Sequence, residues 1–266
     1  GINRLNSRAH FLSFSSEKLA LIGEKKYTHN YKCLNGSWKF LFLDAPEYSP
    51  EGFYKEEFNT DNWNDIIVPG NWQLQGYGKM HYSDLWYNFP INPPYVPTEN
   101  PTGIYKRNFF IDESWISEKV ILKFNGVDSA YNVWINGQEV GYSKGARIQS
   151  EFDITEYIRC GNNECCVRVY QWSDGTYLED QDMWWLSGIF RDVELYTEPL
   201  LGVEDITVVT DLDEDYNDGT LNIDLKFRKY ENQKIKFELL DINKKVIFEE
   251  LVDIYSNFKF SKNVKS

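Results

Sequence analysis

The chain has 266 residues, 17% of them aromatic, including nine Trp and eighteen Tyr, and carries a formal charge of −13. That length accommodates one large domain or two with a sizeable core, and the aromatic content suits β structure while supplying stacking surfaces. The acidic balance argues against nucleic acid and anionic membrane surfaces as partners, since both reward stripes of Lys and Arg, and no apolar run of roughly eighteen residues is present to span a bilayer.

Residues 1–30 show little periodicity and read as an irregular arm, within which Ser15 to Lys18 open a short helical stretch. From Leu34 the pattern turns to β. Asn35-Gly36 signals a turn, and Ser37 to Phe42 alternate as a half-buried strand does. Trp63 and the Ile66–Gly70 segment follow. The stretch 71–98 has no regular period, and five of the nine prolines fall between Pro90 and Pro101. It reads as a long ordered loop, which in a compact domain is usually functional or an interface. Residues 104–198 are the clearest all-β region. Lys119 to Phe124 form a strand ended by Asn125-Gly126; Ala130 to Ile135 form another, turning at Asn136-Gly137, the strongest short hairpin signal. Val140 to Tyr142 return, and Glu164 to Trp172 make a further strand. Short strands with turns every eight to twelve residues indicate a sandwich or jelly roll.

Thr197 to Gly202 look like a linker, because Pro199 cannot donate to a continuing ladder. The expected division is therefore residues 1–200 and residues 201–266. In the second part Val203–Thr210, Gly219–Arg228, Ile235–Leu240 and Lys245–Leu251 alternate as short strands. Four strands suggest an immunoglobulin-like sandwich, whose usual complement is about seven, so this domain is expected to be incomplete at Ser266.

Four cysteines (Cys33, Cys160, Cys165 and Cys166) form no paired framework, and their spacing is not a zinc signature. Cys165 and Cys166 are neighbours on a predicted strand, point to opposite faces, and are read as reduced thiols. A reducing cytoplasm is the expected compartment.

Two dense runs carry the chemistry: WSDGTYLEDQDMWWLSGIFRD over Trp172–Asp192, and NPPYVPTENPTG over Asn92–Gly103. The first sets Glu179, Asp180 and Asp182 beside Trp172, Trp184 and Trp185. Carboxylates accept from sugar hydroxyls, and indole faces cover the apolar C–H surface of a pyranose. Hydrolysis of a glycoside with retention needs two carboxyl groups roughly 5–5.5 Å apart. Glu179 and Asp180 diverge if extended, and either meets Asp182 only on a curved loop. The run is thus read as a ligand-binding or structural carboxylate cluster, with no catalytic pair. His10, His29 and His81 are scattered, and no G-x-S-x-G elbow is present, so a serine hydrolase is not expected.

These two runs resemble glycoside hydrolase family 2, specifically its large β-galactosidases. The resemblance extends from Asn3 into the second-domain strands and is densest over 66–192. It implies an all-β chain: a galactose-binding-like jelly-roll sandwich followed by a truncated immunoglobulin-like β-sandwich. The family's catalytic (β/α)8 barrel, with both catalytic glutamates, would lie outside this chain, which alone is expected to be inactive. The implied parent is a retaining enzyme that hydrolyses terminal β-D-galactosides such as lactose.

On this resemblance Asp182 binds galactose and helps ligate a sodium ion, the other ligands coming from the barrel; a carboxylate oxygen suits so hard a cation. The segment Pro69–Tyr77, then His81 to Asp84, resembles the loop that lays a second polar side chain on the galactose. Many members have Asn where this chain has Asp84, which can accept but not donate. The Asn92–Gly103 run implies a rigid scaffold, with Pro101 and Gly103 setting its turn. Some members hold magnesium with the Asp of Trp-Ser-Asp, here Asp174, and a Gln where this chain has Lys144. An ammonium repels a cation, so that magnesium site is not expected here. Sodium and magnesium belong to the full-length enzyme. The implied partners are a β-galactoside and either further copies of the chain, contacted through its amino-terminal arm, or a complementary subunit. The alternatives are a free-standing carbohydrate-binding module with Trp184 and Trp185 as its platform, a structural interaction domain, and a β-glucuronidase or β-mannosidase of the same family.

Overall fold

The computed structural model describes residues 1–229, 231, 233–254 and 257–265; Ser266, the expected end of the second domain, lies outside them. The chain falls into two compact units. One comprises Gly1–Asn6 with Leu12–Glu198, the other Ser7–Phe11 with Pro199–Ser266.

In the first unit the arm holds an α-helix, α1 (Glu17–Ile22), capped by the Ser16 hydroxyl and ended by Gly23 in the left-handed region. The strands are β1 (Tyr31–Cys33), β2 (Gly36–Leu43), β3 (Asn64–Val68), β4 (His81–Tyr82), β5 (Thr102–Ile111), β6 (Lys119–Phe124) and β7 (Val127–Asp128). They continue as β8 (Ala130–Ile135), β9 (Gln138–Lys144), β10 (Ser150–Asp153), β11 (Gly161–Tyr170), β12 (Trp184–Trp185), β13 (Gly188–Ile189) and β14 (Val193–Glu198). A four-stranded sheet runs β1-β14-β6-β10 and a six-stranded sheet β3-β2-β5-β11-β8-β9, with β12-β4 and β13-β7 as two short pairs. Between the two main sheets lies the principal core, built from Trp38, Phe40, Tyr105, Leu122, Phe124, Val133, Phe152, Val167 and Leu195 among others.

The outer face of the six-stranded sheet is covered as well. Phe53 and Trp63, from the connection between β2 and β3, pack there with Ile104, Trp134 and Cys166. This explains why central β5 reads as an almost unbroken buried run from Thr102 to Lys106 rather than an alternating one. It also separates the neighbouring thiols: Cys165 faces the inter-sheet core and Cys166 the outer cluster, both unpaired. The Asn136-Gly137 hairpin forms as its sequence demands, with both residues at positive φ (50° and 76°) and Ile135 opposite Gln138.

The arm is less irregular than its sequence suggests. Ile2 pairs with Tyr142 through both backbone bonds, and Arg4 bridges Phe152. Residues 7–11 join the second unit, where Ala9 N–H donates to Asp205 at 2.9 Å.

The second unit contains β15 (Gly202–Leu212), β16 (Gly219–Lys229), β17 (Lys234–Leu240), β18 (Val246–Asp253) and β19 (Asn257–Val264). The sheets are β15-β16-β19 and β17-β18, packed through Leu225, Phe237, Phe248, Phe258 and Phe260. Sequence patterning predicts four strands here; the fifth, β19, completes the three-stranded sheet. Its alternation over Phe258 and Phe260 is only two apolar residues long, too short to register by period alone.

Candidate functional site

The site forms where two loops are zipped together. β4 pairs with β12 so that Tyr82 lies opposite Trp184 and His81 opposite Trp185. Trp185 Nε1 donates to the Ser83 carbonyl at 3.2 Å, closing the loop that leads to Asp84. This pairing brings the sequence-predicted residues Asp182 and Asp84 to the same exposed edge, around a residue that sequence reasoning did not single out. Tyr82 donates its hydroxyl to Asp182 Oδ1 at 2.5 Å. That bond, with Asp84's charge as a smaller contribution, pushes the Tyr82 phenol up to about 12. At neutral pH the group is therefore a firm donor, and Asp182 keeps its other oxygen for a ligand.

An apolar face accompanies the carboxylates. The Tyr82 and Trp184 rings lie 5.7 Å apart and both are more than half exposed. Trp184 and Trp185 do not form the shared platform that the binding-module alternative would use. As neighbours on a strand they point to opposite sides, and Trp185 turns inward onto Trp172 at 5.5 Å and Tyr87 at 6.0 Å.

The acidic run disperses instead of clustering. Glu179 accepts from the Ala146 N–H at 2.6 Å and serves as a loop anchor. Asp180 is exposed and helps raise the Tyr87 phenol, after burial. Only Asp182 reaches Tyr82. Among the described residues no group of three or more His, Cys, Asp or Glu side chains is placed to hold a metal ion. At the position for which the resemblance implied a magnesium ligand, the Lys144 ammonium is bonded directly to Asp174, so this carboxylate does not fit a second cation.

Behind the exposed edge lies a cavity of about 20 Å³, bounded by Asp128, Arg147, Gln171, Glu179, Met183 and Ser187 among others. It has room for one water molecule and not for a sugar. Arg147 crosses it, bonding Asp128 at 2.6 Å and the Met183 sulfur at 2.8 Å. Burial pushes the Asp128 carboxyl up to about 6 despite that partner, and Glu179's charge adds to the rise.

The proline-rich run is cross-tied to the acidic one. Asn100 and Trp172 exchange two bonds of 2.8 Å, Nδ2–H to the Trp172 carbonyl and the Trp172 N–H to Oδ1. Tyr177 donates to the Tyr95 carbonyl at 2.6 Å and accepts from the Asn92 N–H at 3.2 Å. Gly103 does not set a turn, contrary to expectation. It sits inside β5, and a Cβ there would meet Phe40 at 2.7 Å and Trp72 at 2.8 Å, so its missing side chain admits two core rings.

A family model described as "Glycosyl hydrolases family 2, sugar binding domain" matches residues 31–199. The chain is 47% identical over 208 residues to a β-galactosidase of Photobacterium profundum, covering 78% of this chain and 20% of that protein. With a β-galactosidase of Priestia megaterium it shares 40% identity over 247 residues, covering 90% and 24%. It thus spans about a fifth of the length of the curated relatives it matches. Among solved structures, a β-glucuronidase from an uncultured Clostridium species gives a TM-score of 0.67 at 26% identity, over 88% of this chain and 39% of that one. A β-glycosidase from Bacteroides vulgatus, at 21% identity and TM-score 0.66 over 88% and 29%, shares the fold.

Proposed function

Because this chain belongs to glycosyl hydrolase family 2 and carries that family's sugar-binding domain, we propose that it forms the galactose-side wall of a retaining β-galactosidase. In this reading the working polypeptide is longer, as the relatives are, and the catalytic carboxylates lie outside these 266 residues. Asp182, oriented by Tyr82, accepts from a galactose hydroxyl and lends one oxygen to a sodium ion. Asp84 accepts from a second hydroxyl, and the Trp184–Tyr82 face covers the sugar's apolar C–H surface. The single observation that carries the reading is the exposed Asp182–Tyr82–Asp84 edge beside Trp184.

The β-glucuronidase alternative draws on structural neighbours such as the Clostridium enzyme. Against it stands the charge of the edge: two carboxylates face the sugar, where a uronate would need a cation. Arg147 is committed to Asp128. A neutral hexose therefore fits better, and four unpaired cysteines suit a reducing cytoplasm.

The test is hydrolysis of o-nitrophenyl-β-D-galactoside by this chain alone and by the same chain joined to, or mixed with, the part that supplies the catalytic glutamates. Inactivity alone and activity on joining supports the proposal; activity alone would mean that the carboxylates of 179–182 do the chemistry. In the active preparation Asp182→Asn should raise KM and blunt the sodium dependence. Unchanged kinetics across a sodium titration would remove Asp182 from the site.

A further inference from the structure

The loop bearing Asp182 has little of its own to hold it. Asp180, Gln181 and Asp182 are all exposed, and next to the acid Met183 N–H donates to the Gln181 carbonyl at 2.7 Å. Pairing with β4 begins only at Trp184. In front, Tyr82 donates to the carboxylate. Behind, the residue after the acid is gripped: the Arg147 fork places one nitrogen on Asp128 and another on the Met183 sulfur.

Arg147 is itself held by further contacts. Its guanidinium lies 5.2 Å from the centre of the Phe190 ring, and its carbonyl accepts from Arg191 at 2.9 Å. Asp128, which receives it, belongs to β7, and β7 pairs with β13 just beyond the loop. The guanidinium thus ties Met183 to the short β7–β13 pair. Only a planar fork is able to serve both partners at once.

We propose that Arg147 is a positioning residue for the sugar site: by holding Met183 against Asp128 it fixes the direction in which Asp182 presents its carboxylate. This rests on the reading that Asp182 binds the sugar. A residue outside the binding edge then sets its affinity, and the Arg147–Met183 contact is part of the recognition apparatus although it touches no ligand.

The chain has two methionines, Met80 and Met183, so a carbon-13 methyl-methionine NMR spectrum contains two signals, assigned by Met183→Leu. In Arg147→Lys the ammonium still reaches Asp128 but, as a single point, gives up the sulfur. The Met183 signal should shift while Met80 stays. In the galactoside-hydrolysing preparation KM should rise on the order of tenfold, as when outer partners of a binding group are lost, with kcat per folded molecule changed less. A merely structural role would lower the folded fraction and leave KM alone. Asp182→Asn is measured in parallel. A raised KM there with an unmoved Met183 signal and unchanged KM in Arg147→Lys overturns the positioning role only; an unchanged KM in Asp182→Asn overturns the site reading and this inference together. Should Arg147→Lys fail to fold, Met183→Leu must give the same KM rise, and its absence overturns the proposal.

Discussion

Replacing Glu194 with Gln should remove a defined part of the first unit's acid sensitivity. The Glu194 side chain is 1% exposed on β14. It accepts from the Lys25 ammonium, from the Tyr31 hydroxyl at 2.9 Å and from Asn125 Nδ2–H at 2.9 Å, with the Lys123 ammonium at 3.6 Å. Burial by itself pushes this carboxyl up, but the bonds from Lys25, Asn125 and Tyr31 outweigh it and hold the group at about 2, against an ordinary 4.5. A folded-state value below the unfolded one means that ionised Glu194 stabilises the fold fully above 4.5, and that this contribution is lost as pH falls toward 2. At about 1.4 kcal/mol per tenfold change, the gap amounts to about 3 kcal/mol at pH 6 and about 1 kcal/mol at pH 3, a loss of roughly 2 kcal/mol.

All nine Trp lie between positions 38 and 185, inside the first unit, so Trp fluorescence in urea reports on that unit alone. A neutral amide in the Glu194→Gln variant would leave the buried Lys123 ammonium with Glu151 alone as countercharge, and the variant should begin less stable at pH 6 by about 3–5 kcal/mol. Between pH 6 and pH 3, however, the wild type should lose roughly 2 kcal/mol more than the variant, because every other carboxylate titrates in both. Parallel stability-versus-pH curves would refute the reasoning.

The Asp128 carboxyl, which Arg147 and Glu179 face, is pushed up to about 6, so it should gain a proton as pH falls through that value and loosen its hold on Arg147. The Met183 methyl signal should therefore titrate near pH 6 and cease to do so in Asp128→Asn; a pH-independent signal would contradict this. Gly103→Ala places a Cβ within 2.7 Å of Phe40 and should cost roughly 1–3 kcal/mol, lowering Tm by several degrees in a calorimetric scan. Burial pushes the Cys165 and Cys166 thiols up, whereas Cys33 and Cys160 are exposed. Two thiols should react with a disulfide reagent at pH 8 in the native chain and all four in denaturant; four reacting at once in the native chain would overturn the buried assignment.

What could be read in advance was local. β6 and β8 begin and end where their apolar runs do, Asn136-Gly137 turns where its φ preferences require, and adjacent cysteines on a strand must face opposite ways. What escaped depends on partners distant in sequence. Gly103 looks like a turn residue beside Pro101 until Phe40 and Trp72 arrive against it from other elements. Glu179 looks like a member of an acid cluster until Ala146 offers its N–H.

Tyr82 is the clearest case, because its hydroxyl meets a carboxylate one hundred residues away. Nothing within a few positions of a tyrosine announces that meeting; it follows from the two-residue pairing of β4 with β12. The same pairing explains why one acid of the run reaches that edge. Glu179 is drawn to the Ala146 N–H and Asp180 is exposed near Tyr87, so of the three acids only Asp182 meets Tyr82. A binding edge built this way needs its groups delivered from separate loops and held from behind. The chain meets both needs: β4 and β12 deliver Tyr82 and Asp182 to one place, and the Asp128–Arg147–Met183 contact braces the loop that would otherwise carry the acid alone.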